Sequence, residues 1–221
     1  DAEQWDQLVE VLQIHDGLSF GVARERASTL LERVGISDAR ARMRSYAHEW
    51  SGGMRQRVMI AMSLLCKPEI LIADEPTTAL DVTVQAQVLS LLADLRAEMG
   101  TSVLFITHDL GVVRRIADRV AVMYAGRIVE QAPVSALFAN PKHPYTRALM
   151  TCTPRFDVKA GALNPLPGRP PNPTARPAGC AFRERCISAT SECSVAVPKL
   201  EAVSRDHAVA CVHEQTGRPP L

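Results

Sequence analysis

Two short apolar runs, Ile70–Ala73 and Val103–Thr107, flank an amphipathic stretch over Asp81–Glu98. This order constrains the fold more than any other feature of the chain. The first run is bounded by Lys67-Pro68 on one side and Asp74-Glu75-Pro76 on the other. Apolar runs of this length between polar and proline boundaries suit strands buried on both faces. Between them Val84, Val88, Leu91, Leu92 and Leu95 line one side of a predicted helix. After the second run come His108-Asp109 and a predicted helix to about Ala117, then Val120–Tyr124 and Arg127–Glu130 around Ala125-Gly126, a hairpin signal. Strand, helix, strand, helix argues for an α/β layered domain with a parallel sheet.

Upstream, residues 1–45 read as helix. Leu8, Val11 and Leu12, then Ala27, Leu30, Leu31 and Val34, recur at spacings of three and four, and Gly35 supplies a stop. Arg40, Arg42 and Arg44 read as a solvated face. From Ser51-Gly52-Gly53 the pattern turns into a second helix, Met54–Leu65. The 221 residues suffice for one domain with a small appendage. Lys and Arg number 25 against 24 Asp and Glu, so bulk charge points neither to nucleic acid nor to an anionic membrane. With 47% hydrophobic residues the chain is not a disordered one. No apolar run approaches the roughly 18–20 residues that cross a bilayer, and the first residues lack the basic-then-apolar pattern of a signal peptide. The chain starts at Asp1 rather than Met, which suggests a piece of a longer protein.

Beyond Met150 the composition shifts. Ten of the 15 prolines fall between Pro154 and Pro220, six of them within Asn164–Pro177, so this stretch reads as a stiff, extended linker. Past it, Cys180, Cys186, Cys193 and Cys211 follow in a C-x5-C-x6-C-x17-C pattern, which lacks the C-x2-C pairs of zinc fingers.

Three features carry the functional argument. Glycines at Gly52 and Gly53, before a helix, allow close backbone approach, and the free N–H groups of the helix start attract an anion. The plain alternative is an ordinary cap by Ser51. Asp74, at the C-terminal end of a parallel strand, sits where α/β proteins bind ligands and suits Mg²⁺. Glu75 could polarise a water for attack on a phosphoryl group, or the two carboxylates could merely cap the next helix. His108 ends the other strand; a lone loop histidine is usually inert, but the α/β alternation sets all three features on one edge.

Together the motifs resemble those of ABC-type ATPases. Ser51-Gly52-Gly53-Met54-Arg55-Gln56-Arg57 is similar to the signature motif, and Ile70–Pro76 to the Walker B strand with its glutamate. Thr77-Thr78-Ala79-Leu80-Asp81 matches the following loop and Ile106-Thr107-His108-Asp109 the switch histidine. Thr83–Gln87, Ala121–Glu130, His143-Pro144-Tyr145-Thr146 and the Cys-Ala-Phe-Arg-Glu-Arg-Cys block resemble the oligopeptide and dipeptide importer branch.

The resemblance implies a partial RecA-like ABC ATPase fold with a helical signature subdomain and a small Cys-rich C-terminal extension. The expected division is a helical subdomain at 1–66, the C-terminal part of the ATPase core at 67–150, a linker at 151–177 and the extension at 178–221. It also implies that two ATPase subunits close face to face over ATP. Ser51, Gly52 and Gly53 would contact the γ-phosphate of an ATP held by the partner, and Asp81 would link the two sites. Asp74 would serve Mg²⁺, Glu75 would act as general base, and His108 would sense the γ-phosphate. The implied partners are a second ATPase subunit, two membrane permease subunits and, indirectly, an extracytoplasmic solute-binding protein, at the cytoplasmic face of the bacterial inner membrane. Nucleic acid is not among them. A soluble ABC ATPase not coupled to transport, and a non-hydrolysing regulatory or structural fragment, are the competing readings.

Three departures stand out. No G-x-x-x-x-G-K-[ST] loop occurs in the 221 residues, and the Gln-containing loop is missing too. Truncation of a longer product is the expectation, and this chain by itself is expected not to hydrolyse ATP. Trp50 stands where the family usually has Leu or Phe, adding bulk expected near the interface. Met54 replaces the general Gln. For the tail, the implied cytosolic setting disfavours disulfides, and the resemblance implies an iron–sulfur cluster on Cys180, Cys186, Cys193 and Cys211. Zinc or unliganded thiols are the alternatives.

Overall fold

The computed structural model describes residues 4–42, 44–78, 80–152 and 166–216. Part of the predicted linker, 153–165, and Ala79 of the loop that follows the first apolar run lie outside them. Residues 166–177 form neither helix nor strand. The chain divides into two compact units, 1–108 and 109–221.

The first unit begins with helices α1 (Gln4–Asp16), α2 (Phe20–Arg33) and the short α3 (Ala39–Arg42). The single helical reading of 1–45 is interrupted where Gly17 takes φ +65° and again at Gly35, at φ +80°, the predicted stop. Helix α4 (Gly52–Leu64) is followed by strand β1 (Ile70–Asp74), helix α5 (Val82–Met99) and strand β2 (Ser102–Ile106). The two strands pair in parallel, from Ile70 opposite Ser102 to Asp74 opposite Ile106. Helix α5 ends on Gly100 in the left-handed conformation, where glycine has no Cβ to clash.

The core of this unit joins Leu8 and Leu12 of α1, Leu30 and Leu31 of α2, Ala61 and Leu64 of α4, and Val88, Leu92 and Leu95 of α5 to Leu71 of β1. Val103 and Phe105 of β2 pack against it. The expectation of strands buried on both faces is corrected here. Ile70 and Ile72 are each 65% exposed, and Leu104 and Ile106 share their open face. Side chains alternate across a strand, and among the described residues the helical core covers one face of this two-stranded sheet.

The second unit starts with α6 (Leu110–Ile116), then the hairpin of β3 (Arg119–Tyr124) and β4 (Arg127–Pro133), and helices α7 (Val134–Ala139) and α8 (Pro144–Cys152). The turn residues Ala125 and Gly126 have φ +48° and +75°, the left-handed pair that a tight hairpin needs. The tail returns as β5 (Glu201–Ser204), β6 (His207–Val209) and the short α9 (Val212–Gln215). Strand β6 pairs antiparallel with β4, giving the order β3-β4-β6-β5. Tyr124 and Tyr145 surround Phe182 at 5.3 and 5.4 Å between ring centroids.

A carboxylate organises this unit. Glu130 is fully buried in β4. Its Oε1 accepts from the Lys142 backbone N–H at 2.6 Å and lies 2.7 Å from His207 Nε2; its Oε2 accepts from the His143 backbone N–H at 2.9 Å. A buried charge survives only when its lone pairs are met, and here β4, the segment entering α8 and the tail hairpin all meet on one group. His143 is buried beside it, 1% exposed. Burial drives its imidazole down to about 4, and its Nδ1 accepts the Tyr145 backbone N–H at 3.1 Å, which fits a neutral ring.

Two expectations follow for stability. In the unfolded chain His143 protonates near pH 6.5, whereas in the folded one it resists until about 4. Between those values the unfolded state holds the extra proton. Stability therefore falls as pH drops through this window, by about 3 kcal/mol in total. Urea unfolding of the chain across the window should show this slope, and His143→Gln should flatten it; equal slopes would refute the account. The second expectation concerns α4 and α5. A Cβ on Gly53 would lie 2.8 Å from Val84 Cγ1, while one on Gly52 meets nothing within 4 Å. Overpacking costs about 1–3 kcal/mol, more than the helix propensity gained, which is under about 1 kcal/mol near a helix start. Gly53→Ala should lower the unfolding midpoint, with Gly52→Ala as the near-neutral control.

Candidate functional site

Ser51 opens α4. It is extended, and its Oγ accepts the Met54 backbone N–H at 3.3 Å, so the cap read as the plain alternative is formed. Ser51 and Gly52 are exposed and Gly53 is half-buried. The approach of Gly53 to Val84 sets this helix start beside the first turn of α5. That turn is capped by Asp81, whose Oδ1 accepts the Val84 backbone N–H at 2.9 Å. Arg57 holds α4 in place, donating to the Val34 carbonyl at 2.8 Å and to Gln87 Oε1 at 3.0 Å. Trp50 is buried in the helical core rather than placed at a surface, and its indole N–H has no hydrogen-bond partner among the described residues. An unmet buried donor of this kind costs about 1–3 kcal/mol.

At the ends of the parallel strands lie the acids and the histidine. Asp74 closes β1 and is exposed. Glu75 takes φ +45°, a left-handed conformation uncommon outside glycine, and its N–H donates to the Ile106 carbonyl at 2.9 Å. The strand end is thereby turned, and the Glu75 side chain meets His108: Oε1 lies 2.8 Å from His108 Nδ1. A carboxylate only accepts, so Nδ1 carries the proton in this pair. The other oxygen, Oε2, accepts from Thr78 Oγ1 at 2.9 Å. The bond from His108 and then that from Thr78 hold the Glu75 carboxyl below the usual glutamate range. Thr77, the preceding residue, is buried and accepts from Gln85 Nε2 at 3.3 Å, tying the loop to α5.

The structure therefore brings Glu75 and His108 together and sets Asp74 next to them, while Ser51, Gly52, Gly53 and Asp81 gather at the facing starts of α4 and α5. Sequence reasoning did not single out Thr78. Its signal was present: a hydroxyl three residues after an acid, across a turn opened by Pro76, is placed to bond back.

In the tail, Cys193 and Cys211 are buried and Cys180 and Cys186 half-buried, all as free thiols. Gly179, at φ +76°, is required here, because a Cβ would fall 2.3 Å from the Cys193 carbonyl oxygen. That approach lets the Cys180 N–H donate to the same oxygen at 2.8 Å. Burial pushes the thiols of Cys180, Cys186 and Cys211 up, and the neighbouring cysteines push each of them further. Cys193 Sγ lies 3.6 Å from His213 Nε2. Among the described residues, no three His, Cys, Asp or Glu side chains are placed to hold a metal ion, and no helix is long and apolar enough to cross a membrane.

Two family profiles and several named relatives match the chain. The profile described as ABC transporter matches residues 2–78, and the one described as oligopeptide/dipeptide transporter, C-terminal region, matches residues 129–193. A Brucella melitensis protein named for peptide import ATP binding is 52% identical over 216 residues, 95% of this chain and 64% of its own length. The oligopeptide transport ATP-binding protein OppD of Salmonella typhimurium is 51% identical over 206 residues, covering 93% of this chain and 61% of its own. OppD of Escherichia coli is 50% identical over the same span, with the same coverage. The chain thus spans just under two thirds of the length of these relatives. The signature helix, the acid-ended parallel strand and the His-Pro-Tyr segment fall within the matched regions, and the chain belongs to the ATP-binding proteins of ABC transporters, in their oligopeptide/dipeptide branch.

Proposed function

We propose that this chain is the nucleotide-handling part of an ATPase that powers import of peptides or similar small solutes. The observation that carries the reading is the Glu75–His108 pair, 2.8 Å apart at the ends of two parallel strands. Glu75 takes a proton from water as that water attacks the γ-phosphoryl group, in line with the leaving oxygen. Its lowered pKa keeps it ionised well below neutral pH. His108 is held by Glu75 through Nδ1, and as imidazolium it can donate from its other nitrogen to the γ-phosphate. Ser51, Gly52 and Gly53 present the amide end of the 13-residue helix α4 to the γ-phosphate of the other ATP, the one held mainly by the partner subunit. Asp81, capping the neighbouring helix, connects this surface to the second site of the pair. Asp74, an exposed carboxylate at a strand end, fits Mg²⁺, a cation that keeps several waters and needs few protein ligands. When bound, that ion neutralises charge on the phosphates.

As the resemblance implies, the signature surface of this chain serves an ATP cradled by the G-x-x-x-x-G-K-[ST] loop of a partner subunit. The working unit is two ATPase subunits beneath two membrane permease subunits, at the cytoplasmic face of the membrane, with a solute-binding protein outside. In the tail, the all-thiol donor set of Cys180, Cys186, Cys193 and Cys211 is of the chemical kind that would hold an iron–sulfur cluster. Bound there, the cluster would cross-link the tail.

Turnover by the assembled ATPase should fall by about 10²–10⁴ on Glu75→Gln. The acid limb of its pH–rate profile should lie below the ordinary glutamate range, because a lowered pKa leaves the base ionised there. The 221-residue chain alone should show no hydrolysis. A Glu75→Gln assembly that turns over at the parent rate would remove Glu75 as the base and bring forward a regulatory role. For the tail, anaerobically purified protein should carry about four iron and four sulfide per chain, lost on Cys186→Ser; zinc in their place would give the site a different occupant.

A further inference from the structure

We propose that Thr78 is a positioning residue for Glu75: its hydroxyl holds Oε2 so that Oε1 meets His108 and the carboxylate plane is fixed before a water arrives. This rests on the reading of Glu75 as the general base. The backbone at Glu75 is already pinned by its bond to Ile106, but the glutamate side chain has three further torsions, and Glu75 is exposed. One hydrogen bond to His108 would leave the carboxylate able to swing about the shared oxygen. The second bond, from Thr78 Oγ1 at 2.9 Å, removes that freedom, because each oxygen now has its own donor on a different segment. Thr78 is itself located by a backbone bond from its N–H to the Glu75 carbonyl at 3.1 Å, which closes the turn and directs the hydroxyl back to the acid. The two adjacent threonines divide the work. Thr77 anchors the loop to α5 through Gln85, and Thr78 acts on the base. The hydroxyl donates to the ionised carboxylate, so it also favours the form able to accept a proton.

Two measurements test this. In the 221-residue chain, the Glu75 carboxyl pKa followed by ¹³C NMR should rise on Thr78→Ala and on Thr78→Val, and stay at the parent value on Thr78→Ser. In the assembled ATPase, Thr78→Ala should lower kcat by about three- to tenfold, the size of one hydrogen bond. KM for ATP should be unchanged and the acid limb displaced upward, and Thr78→Ser should restore all three. A Glu75 pKa indifferent to Thr78→Ala overturns the contact. Parent-like kinetics in Thr78→Val overturn the role of the hydroxyl, since valine keeps the shape. Full turnover by Glu75→Gln would instead overturn the reading of Glu75 as base, and the positioning role with it, while the NMR arm would still register the contact. The two failures are thus distinguishable.

Discussion

Parallel pairing of Ile70–Asp74 with Ser102–Ile106 is the constraint on which the candidate site depends. Because both strands run the same way, their C-terminal ends lie side by side, and residues 33 apart in sequence share one hydrogen bond. An antiparallel pair would put the start of one strand beside the end of the other and separate Glu75 from His108 by the length of the sheet. The crossover helix α5 makes the parallel arrangement possible, and it also receives Gly53 against Val84. Strand pairing and helix packing therefore converge on one edge.

The two units use the same functional group in opposite ways. Glu130 is buried, with three donors fixed on it from three stretches of chain, and it acts as a fastening. Glu75 is exposed and held by two side-chain donors, so its proton affinity remains open to a reactant. Burial with full satisfaction makes a carboxylate structural; exposure with partial restraint leaves it available for chemistry.

Much of this was legible in the sequence because the relevant signals are local. The apolar runs, the helix stop at Gly35, the Ala125-Gly126 turn and the Asp-Glu pair after a strand each follow from a few neighbouring residues. The one-faced burial of β1 was not legible, since Ile70 and Ile72 read the same whether or not something covers them. Nor was Glu130, which the sequence shows only as the end of a hairpin strand: its partners lie 12, 13 and 77 residues away. Strand β6, three residues long, gives almost no periodic signal, and its place beside β4 is a tertiary outcome. Thr78 lay within a motif already recognised, but the role of its hydroxyl depends on the left-handed turn at Glu75, which a sequence does not display.

The position of β6 bears on how such chains can diversify. A cysteine-rich segment after a proline-rich stretch has the outward look of a cassette that recombination could swap between relatives. Yet His207 completes the coordination of Glu130, and β6 occupies the edge of β4. A tail grafted from elsewhere would have to bring an imidazole in that register, or leave a buried anion short of a donor and a strand edge open to other chains. Strand and tail are therefore expected to be inherited as a pair, whatever varies in the residues between them.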